Sequence, residues 1–333
     1  MRRPRLLTGD RPTGPLHLGH YVGTLANRVR LQDVFDPFIL VADYHLLTTG
    51  SSRGHETKRD IREDVLGNLA VGIDPAKATL YLQSQVPETA ELFLLLGMLV
   101  SVPRVRRIPT LKDKLAEIHA AEPSYGLLGY PILQASDILL VGGEVVPVGR
   151  DQASHVELAR EIVRSFNAAF GPTFREPVAL IPEDGLLPGT DGDPKMGRSR
   201  GNTIGLFDHR ATVESKVMAM YTDPRRIHAT DPGRLEGNPV FAYHDAFNAN
   251  LDEVAELKER YRAGRIGDVE VKRRLADALN EFLDPIRARR RALLQDNPTI
   301  VEDVLRAGET RARAEARLTI DAVRAAMGLD YFS

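Results

Sequence analysis

Strand-like and helix-like segments alternate over the first 170 residues, and this alternation limits the possible fold more than any other feature. The run PFILVA at residues 37–42 is apolar throughout, as expected for a strand covered on both faces. Shorter strand-like runs lie at residues 5–7, 79–82 and 144–148. Helical patterns lie between the strands, at residues 19–34, 56–72, 88–100 and 151–166. The alternation predicts an α/β fold with a parallel, doubly wound sheet.

A glycine-rich loop at residues 183–202 divides the chain into two parts. It contains five Gly, two Pro and few apolar residues. Strand signals fade beyond it, and helices are predicted at residues 212–220, 251–261, 269–283, 285–295 and 299–327. We therefore predict an α/β domain over residues 1–205 and a helical domain over residues 206–333. The last helix is able to pack back on the first domain.

The composition excludes several classes of protein. The 333 residues include no Cys, so disulfides, thiolate zinc sites, iron–sulfur clusters and a Cys nucleophile are excluded. No apolar run approaches the roughly 18 residues that span a bilayer. The basic N-terminus is not followed by the apolar run of a signal peptide. These features predict a cytoplasmic protein with no membrane partner.

The net charge of −2 conceals two basic segments. Residues 258–291 hold eleven Lys or Arg against six Asp or Glu, and residues 104–114 hold five against one. Each segment is either a solvated helix face or a surface that contacts nucleic-acid phosphates.

The sequence HLGH at residues 17–20 lies where the first strand passes into the first helix. A helix start there offers free N–H groups to an anion, and Gly9 and Gly19 allow a ligand to approach the backbone. His17 and His20 are three residues apart, so both can point the same way and donate hydrogen bonds to phosphate. The alternatives are a chance match or a pair of metal ligands, for which no third ligand lies nearby in the sequence.

The sequence KMGRSRGN at residues 195–202 lies in the glycine-rich loop at the domain junction. It places three cations within six residues, namely Lys195, Arg198 and Arg200. A mobile loop with this charge suits the capture of a polyphosphate. The alternative is a solvated basic linker.

Taken together, HLGH and KMGRS resemble the paired HIGH and KMSKS elements of the class I aminoacyl-tRNA synthetases, which have a Rossmann-like catalytic domain. Their order and short separation resemble the compact tyrosyl and tryptophanyl members. The blocks YPILQASDILL at residues 130–140 and VPVGRDQ at residues 146–152 resemble the tryptophanyl branch. So do MYTDP at residues 220–224, GNPVF at 237–241 and YRAG at 261–264. The resemblance extends from about residue 5 to about residue 295.

For the amino acid, the resemblance implies that Asp137 accepts the indole N–H of tryptophan. Asp137 lies in an apolar run, where a buried carboxylate needs a donor; a surface or salt-bridged Asp is the alternative. Tyr130 and Gln152 would hold the substrate ammonium and carboxylate, and Gln134 would flank the indole. His45 follows a strand, so it is expected at the edge of the sheet where ligands bind, although a structural His would also fit there.

For the nucleotide, the resemblance implies that ATP is bound with Mg²⁺ on its phosphates, so no metal site of the protein's own is expected. His17, His20, Lys195 and Arg198 would stabilise the transferring phosphate, and no covalent intermediate is needed. The implied ATP-binding residues are Arg11, Pro12, Thr13, Gly19, His20, Gly149, Arg150, Asp151, Leu187, Lys195, Met196, Gly197, Arg198 and Ser199.

Three departures from the usual family pattern concern these sites. Arg11 stands where Gln is common beside the substrate carboxylate, and Gln134 stands where an apolar residue is common. Gly197 and Arg198 replace Ser and Lys in the loop, which keeps the charge but changes the donor geometry. Arg11 and Gln134 suggest the hypothesis of a specialised second copy with altered tolerance for substrate analogues or inhibitors.

The resemblance also implies binding partners, and alternative interpretations of the function remain open. The partners are tRNA(Trp), with the helical domain reading its anticodon and residues 104–114 meeting its acceptor stem, and a second copy in a homodimer. The rival interpretations are a tyrosyl-type synthetase, a non-catalytic paralogue that binds nucleotide or a partner protein, and an unrelated nucleotidyltransferase.

Overall fold

The computed structural model describes residues 2–48, 54–117, 123–181, 186–194 and 196–331, and for His55, Glu117 and Asp151 only the backbone. Five strands form one sheet in the order β3-β2-β1-β4-β5, and every neighbouring pair is parallel. The strands are β1 Arg5–Asp10, β2 Asp36–Val41, β3 Thr79–Leu82, β4 Val145–Pro147 and β5 Val178–Leu180. The predicted α/β fold with a parallel sheet is confirmed. The edge strand β5 was not predicted, because its three apolar residues, VAL, are too short a run to distinguish a strand from a loop.

The strand order reverses beside β1, since β2 and β3 lie on one side of it and β4 and β5 on the other. At such a point the connections from neighbouring strands leave in opposite directions. A crevice therefore opens at the carboxyl ends of β1 and β4, which is where open α/β sheets bind ligands.

Nine helices follow β1 in the first half of the described chain. They are α1 Leu18–His20, α2 Ala26–Leu31, α3 Asp43–Leu47, α4 Gly54–Val71, α5 Glu88–Gly97, α6 Val102–Val105, α7 Pro109–Glu117, α8 Tyr125–Leu140 and α9 Ala153–Phe170. The helix predicted over residues 19–34 is interrupted by a π turn, Tyr21–Leu25, and ends at Leu31. The helix α8, which carries the YP block, begins five residues before Tyr130, because the Ser124 hydroxyl accepts the backbone N–H of Leu127 and caps the helix there.

The helices α10 Arg210–Met218, α11 Pro239–Phe247, α12 Leu251–Arg262, α13 Asp268–Asp296 and α14 Ile300–Met327 follow the glycine-rich loop. The prediction of two helices that meet at Pro285 is wrong, since α13 passes through this proline. Pro285 removes one backbone hydrogen bond, but Leu283 and Ile286 on either side remain buried in the same core, and their packing keeps the helix continuous.

The helix α14 returns to the sheet and packs against β3. Gly308 lies directly on the carbonyl oxygen of Leu80, where a side chain of any size would collide with the strand. The Arg311 guanidinium donates to Thr79 Oγ1 at 2.7 Å and to Asp36 Oδ1 at 2.6 Å. These contacts fix α14 against β3.

Much of the positive charge on residues 258–291 is neutralised within the protein. Arg290 pairs with Glu63 at 2.7 Å, and Arg287 pairs with Asp284 at 2.9 Å. Lys272 is buried and donates to the carbonyl oxygen of Met220 at 2.6 Å. The segment therefore does not present a continuous basic face. Within the described part of the chain, no helix is both long and apolar enough to cross a membrane.

Candidate active site

A cavity of about 360 Å³ lies at the carboxyl ends of β1 and β4, in the crevice where the strand order reverses. Apolar side chains form much of its wall, among them Leu7, Leu40, Ile138, Val146 and Val148. Seven residues predicted from the sequence line the same cavity: Arg11, His45, Tyr130, Gln134, Asp137, Gly149 and Gln152. The size and the apolar wall suit a planar aromatic side chain, with polar groups to orient it.

Asp137 is the buried acceptor of this cavity, with 3% of its surface exposed. Its Oδ2 accepts a hydrogen bond from His45 Nε2 at 2.9 Å. Gln83 Nε2 donates to Oδ1 at 2.8 Å and to Oδ2 at 3.0 Å. Burial raises the pKa of the Asp137 carboxyl, and the two donors oppose that rise by stabilising the charged form. Gln83 was missed by the sequence analysis, although its position directly after β3 places it at the same sheet edge.

Tyr130 is held by a chain of side-chain hydrogen bonds from α7 and α9. Its hydroxyl lies 2.9 Å from Thr110 Oγ1, which in turn lies 2.5 Å from His155 Nε2. Lys114 Nζ lies 3.9 Å from the centroid of the Tyr130 ring and lines the cavity. Lys114 belongs to the basic segment 104–114, for which the sequence allows a solvated helix face or a nucleic-acid surface. It lies at the cavity instead, because Thr110 and Lys114 are one helical turn apart on the face of α7 that meets Tyr130.

The two imidazoles of HLGH are brought together, with ring centroids 3.8 Å apart. The backbone N–H of His17 donates to His20 Nδ1 at 3.1 Å, so a neutral His20 carries its proton on Nε2. Burial, together with smaller contributions from the neighbouring His20 and Arg198, lowers the pKa of His17 to about 3. Burial also lowers the pKa of His20, although Asp10 opposes this effect. Both rings are therefore neutral near pH 7, and each can donate one N–H.

The HLGH segment adjoins the cavity through the turn that follows it. Thr24 lines the cavity, and its hydroxyl donates to the backbone carbonyl of His20 at 3.1 Å. Thr24 lies within the π turn, a local widening of the helix that occurs often at functional sites. A ligand in the cavity can therefore extend to the two imidazoles.

A buried polar network lies beneath the end of β1. The Arg28 guanidinium lies 2.7 Å from Asp10 Oδ2 and donates to Asn68 Oδ1 at 3.1 Å and to Thr8 Oγ1 at 3.2 Å. Burial raises the pKa of the nearby Asp64 to about 7. This network fixes the end of β1 to α2 and α4 directly under HLGH, and no sequence pattern had indicated it.

The second motif is attached to the first by backbone pairing. Leu18 N–H donates to the carbonyl of Ile204 at 2.9 Å, and Leu206 N–H donates to the carbonyl of Leu16 at 3.0 Å. A Cβ built on Gly19 would lie 2.7 Å from Met196 Sδ, so the loop rests against the HLGH backbone. Lys195 lies outside the described residues.

Arg198 occupies the space above Gly14, which has a φ of +117°. The backbone conformation favours glycine here, and a side chain at this position would displace the Arg198 guanidinium. Gly197 N–H donates to Asn202 Oδ1 at 2.9 Å, and Asn202 Nδ2 donates to Asp191 Oδ1 at 3.0 Å. The loop thus places a cation beside the two imidazoles.

The other residues predicted to bind ATP differ in their exposure and location. Pro12 is buried, whereas Thr13, Arg150 and Ser199 are exposed. The backbone of Asp151 lies in a 3-10 turn, Arg150–Gln152, and its side chain lies outside the described part. The Leu187 side chain is buried in the core with Leu16 and Ile204 rather than directed into the cavity.

Comparison with known proteins agrees with this geometry. A sequence model of the family described as "tRNA synthetases class I (W and Y)" matches residues 1–284, and the chain belongs to this family. A tryptophan–tRNA ligase of Treponema pallidum (strain Nichols) is 55% identical over 327 residues, covering 98% of this chain and 97% of the relative. A tryptophan–tRNA ligase of Chlamydia caviae is 49% identical over 97% of this chain and 95% of the relative.

A solved structure of similar shape belongs to the same branch. The tryptophanyl-tRNA synthetase of Campylobacter jejuni, complexed with ADP and tryptophan, has a TM-score of 0.87 and 34% identity and covers 97% of this chain and 99% of its own. The resemblance inferred from HLGH, KMGRS and the YP and VPVG blocks is confirmed.

Proposed function

We propose that the protein activates L-tryptophan with ATP and transfers it to tRNA(Trp). The activity is that of a tryptophan–tRNA ligase, as in full-length relatives. The observation that carries the proposal is the buried acceptor Asp137 in an apolar cavity that adjoins HLGH. A buried carboxylate favours a ring that offers an N–H and rejects one that does not, because its acceptor would otherwise lose a partner.

The amino acid would be held at both of its ends. The indole would lie between the apolar walls with its N–H on Asp137, and Gln134 would flank the ring. Tyr130 and Gln152 would bind the ammonium and carboxylate groups. Arg11 and Lys114 add two cations to the cavity lining, and these would attract the carboxylate and orient it towards the nucleotide.

The nucleotide would enter as MgATP, the second substrate, and lie along HLGH and the loop at residues 196–202. Within the described residues no group of three or more His, Asp or Glu could hold a metal ion. Mg²⁺ commonly remains bound to phosphates and water, so it would arrive with ATP. Gly149 and the turn that holds Asp151 lie on the β4 side, where they would meet the ribose.

The first step is an in-line displacement at phosphorus. A carboxylate oxygen of tryptophan attacks the α-phosphorus, a P–O bond to the β-phosphate breaks, and pyrophosphate leaves. The neutral His17 and His20 donate N–H groups to the phosphates, and Arg198 and Lys195 stabilise the charge of the leaving group. These fixed donors require no proton transfer of their own.

The second step is transfer to tRNA. The oxygen of a terminal ribose hydroxyl of the tRNA attacks the activated carbonyl carbon and forms an ester. The bond from that carbon to the phosphate oxygen breaks, AMP leaves, and the hydroxyl proton is released. The exposed Arg106, Arg107 and Lys112 would contact the acceptor stem, while the helical part of residues 206–333 would read the anticodon. Residues 1–205 would form the catalytic domain, and the enzyme would work in the cytoplasm beside its substrates ATP and tRNA.

The proposed functional form is a homodimer. Four large apolar side chains are exposed around the end of α5 and the start of α8: Leu94 at 58%, Met98 at 67%, Val102 at 50% and Tyr125 at 72%. Exposed apolar side chains on neighbouring elements are typical of an interface with another protein surface, and we call these four the exposed apolar cluster. We assign a second copy of this chain to it.

Amino-acid-dependent exchange of pyrophosphate into ATP tests the function. Stimulation by tryptophan alone, in a panel that includes tyrosine and phenylalanine, is the expected result. Stimulation by tyrosine would support a tyrosyl-type enzyme instead. If no amino acid of the panel stimulates exchange, the result would support a non-catalytic binding protein.

A further inference from the structure

Gln83 is completely buried directly after β3, and its side chain joins α3 to the floor of the cavity. Its Oε1 accepts hydrogen bonds from the backbone N–H groups of Tyr44 at 3.1 Å and His45 at 3.4 Å. Because two N–H donors face the amide oxygen, the amide NH₂ must face the opposite way, towards Asp137. The orientation of this amide is therefore fixed by the backbone of α3.

The NH₂ group of Gln83 contacts both oxygens of Asp137, at 2.8 Å and 3.0 Å. His45 Nε2 contacts only one of them, Oδ2, at 2.9 Å. Gln83 thus has two consequences for Asp137. It favours the ionised carboxylate, and it sets the direction in which the remaining lone pairs point.

We propose that Gln83 is a specificity-determining positioning residue, which keeps Asp137 a pure acceptor and aims it at the ring N–H of the amino acid. This inference rests on the proposed function and deepens it. An ionised carboxylate can only accept, so it selects for a ring with N–H. A protonated carboxyl would offer a donor in place of an acceptor, and a misdirected one would meet the ring N–H poorly. Either change would weaken the preference for a ring with N–H over one that carries sulfur at the same position.

The test compares two amino acids of nearly the same shape in the pyrophosphate-exchange assay. They are tryptophan and β-(3-benzothienyl)alanine, which has sulfur in place of the ring N–H. For Gln83→Met we expect kcat/KM for tryptophan to fall about 10- to 100-fold, as for loss of a hydrogen bond to a charged group. Activity with the sulfur analogue should change by less than about threefold, because no N–H is read there.

The matched control is Gln85→Met, two residues along the same turn, where the side chain is exposed. It should leave the preference for tryptophan over the sulfur analogue within about twofold of wild type. A folded Gln83→Met enzyme with the wild-type preference would overturn the inference. A wild-type enzyme that does not respond to tryptophan at all would instead contradict the proposed function.

Gln83→Glu supplies a second variant of the same size and keeps the inference testable if Gln83→Met does not fold. The introduced carboxyl group can replace the amide donor when it is protonated, whereas its ionised form repels Asp137. The other ionisable groups facing this pair are His45 and Asp43 on α3 and Tyr81 on β3, with Arg11 and Lys114 on the cavity wall. These groups are common to both enzymes, so activity is expressed relative to wild type.

The activity of Gln83→Glu with tryptophan, relative to wild type, should therefore rise as the pH falls from 8 to 6. A structural role for Gln83 alone would not produce this recovery at low pH. A relative activity that is constant over this range would overturn the inference.

Discussion

The backbone N–H of His17 donates to Nδ1 of His20 at 3.1 Å, and the two rings lie 3.8 Å apart. The contact fixes which nitrogen of His20 carries the proton and directs its N–H outward. Since both rings have lowered pKa values, the pair acts as two neutral donors rather than as two cations. The first prediction follows from this electrical neutrality.

His17 should make the protein less stable as the pH falls below about 6.5. The pKa is about 3 in the folded chain and about 6.5 when unfolded, so in between only the unfolded chain takes up the proton. When the pH is lowered from 7.5 to 5.5, the free energy of unfolding measured with urea should fall by about 1 kcal/mol more for wild type than for His17→Asn. The exposed His209→Asn is the control, and it should show no such pH-dependent difference. A parallel response of wild type and His17→Asn would contradict the prediction.

Substitutions at Lys114 and Lys112 should affect different half-reactions, amino-acid activation for Lys114 and tRNA charging for Lys112. Lys114→Met removes a cation from the cavity wall, so kcat/KM for tryptophan in pyrophosphate exchange should fall about tenfold or more. Lys112 is exposed on the same helix, and Lys112→Met should leave exchange within about twofold while weakening tRNA charging. Equal effects of the two variants on exchange would contradict this assignment.

Arg28 should matter for stability because it is buried together with two of its partners, Thr8 and Asn68. Arg28→Met leaves Asp10 without its ion-pair partner and leaves Asn68 and Thr8 without donors. The free energy of unfolding should fall by about 3 kcal/mol, the cost of removing one partner of a buried pair. Arg30→Met, on the exposed side of the same helix, should change it by less than about 0.5 kcal/mol. Chemical denaturation of both variants provides the comparison.

Gly14→Ala should impair the loop more than the fold. The added methyl group collides with Arg198 and is strained at a φ of +117°. We expect kcat for exchange to fall about tenfold or more, since a cation at the phosphate site is displaced. Gly97→Ala, where nothing lies within 4 Å of the new methyl group, should retain wild-type kcat. Wild-type kcat in Gly14→Ala would show that the position of Arg198 is not needed.

Met98→Asp should dissociate the proposed dimer, because it places a charge in the exposed apolar cluster. Sedimentation equilibrium should give the mass of one chain for this variant and of two chains for wild type. Leu318→Asp, at another exposed apolar residue on α14, should leave the mass of two chains unchanged. A monomeric wild type would contradict the proposed assembly.

The parallel sheet and the position of HLGH between the first strand and the first helix could be predicted from the sequence, because both depend on local patterns that hold wherever the segments finally pack. Gln83 and Lys114 could not be found in this way. Their roles depend on α3, α7 and α8 meeting around one cavity, which is a property of tertiary packing. The same reason explains the error at Pro285, where burial of the flanking apolar residues overrides a local helix-breaking signal.

The close packing of Gly308 on the carbonyl oxygen of Leu80 has a consequence for the chain during its synthesis. The strand β3 is an edge strand, and the helix that shields it is synthesised more than two hundred residues later. Until α14 has left the ribosome, this side of the sheet is open to pairing with other nascent chains. A chain that terminates before residue 300 would lack this cover over β3 and should therefore be prone to aggregation.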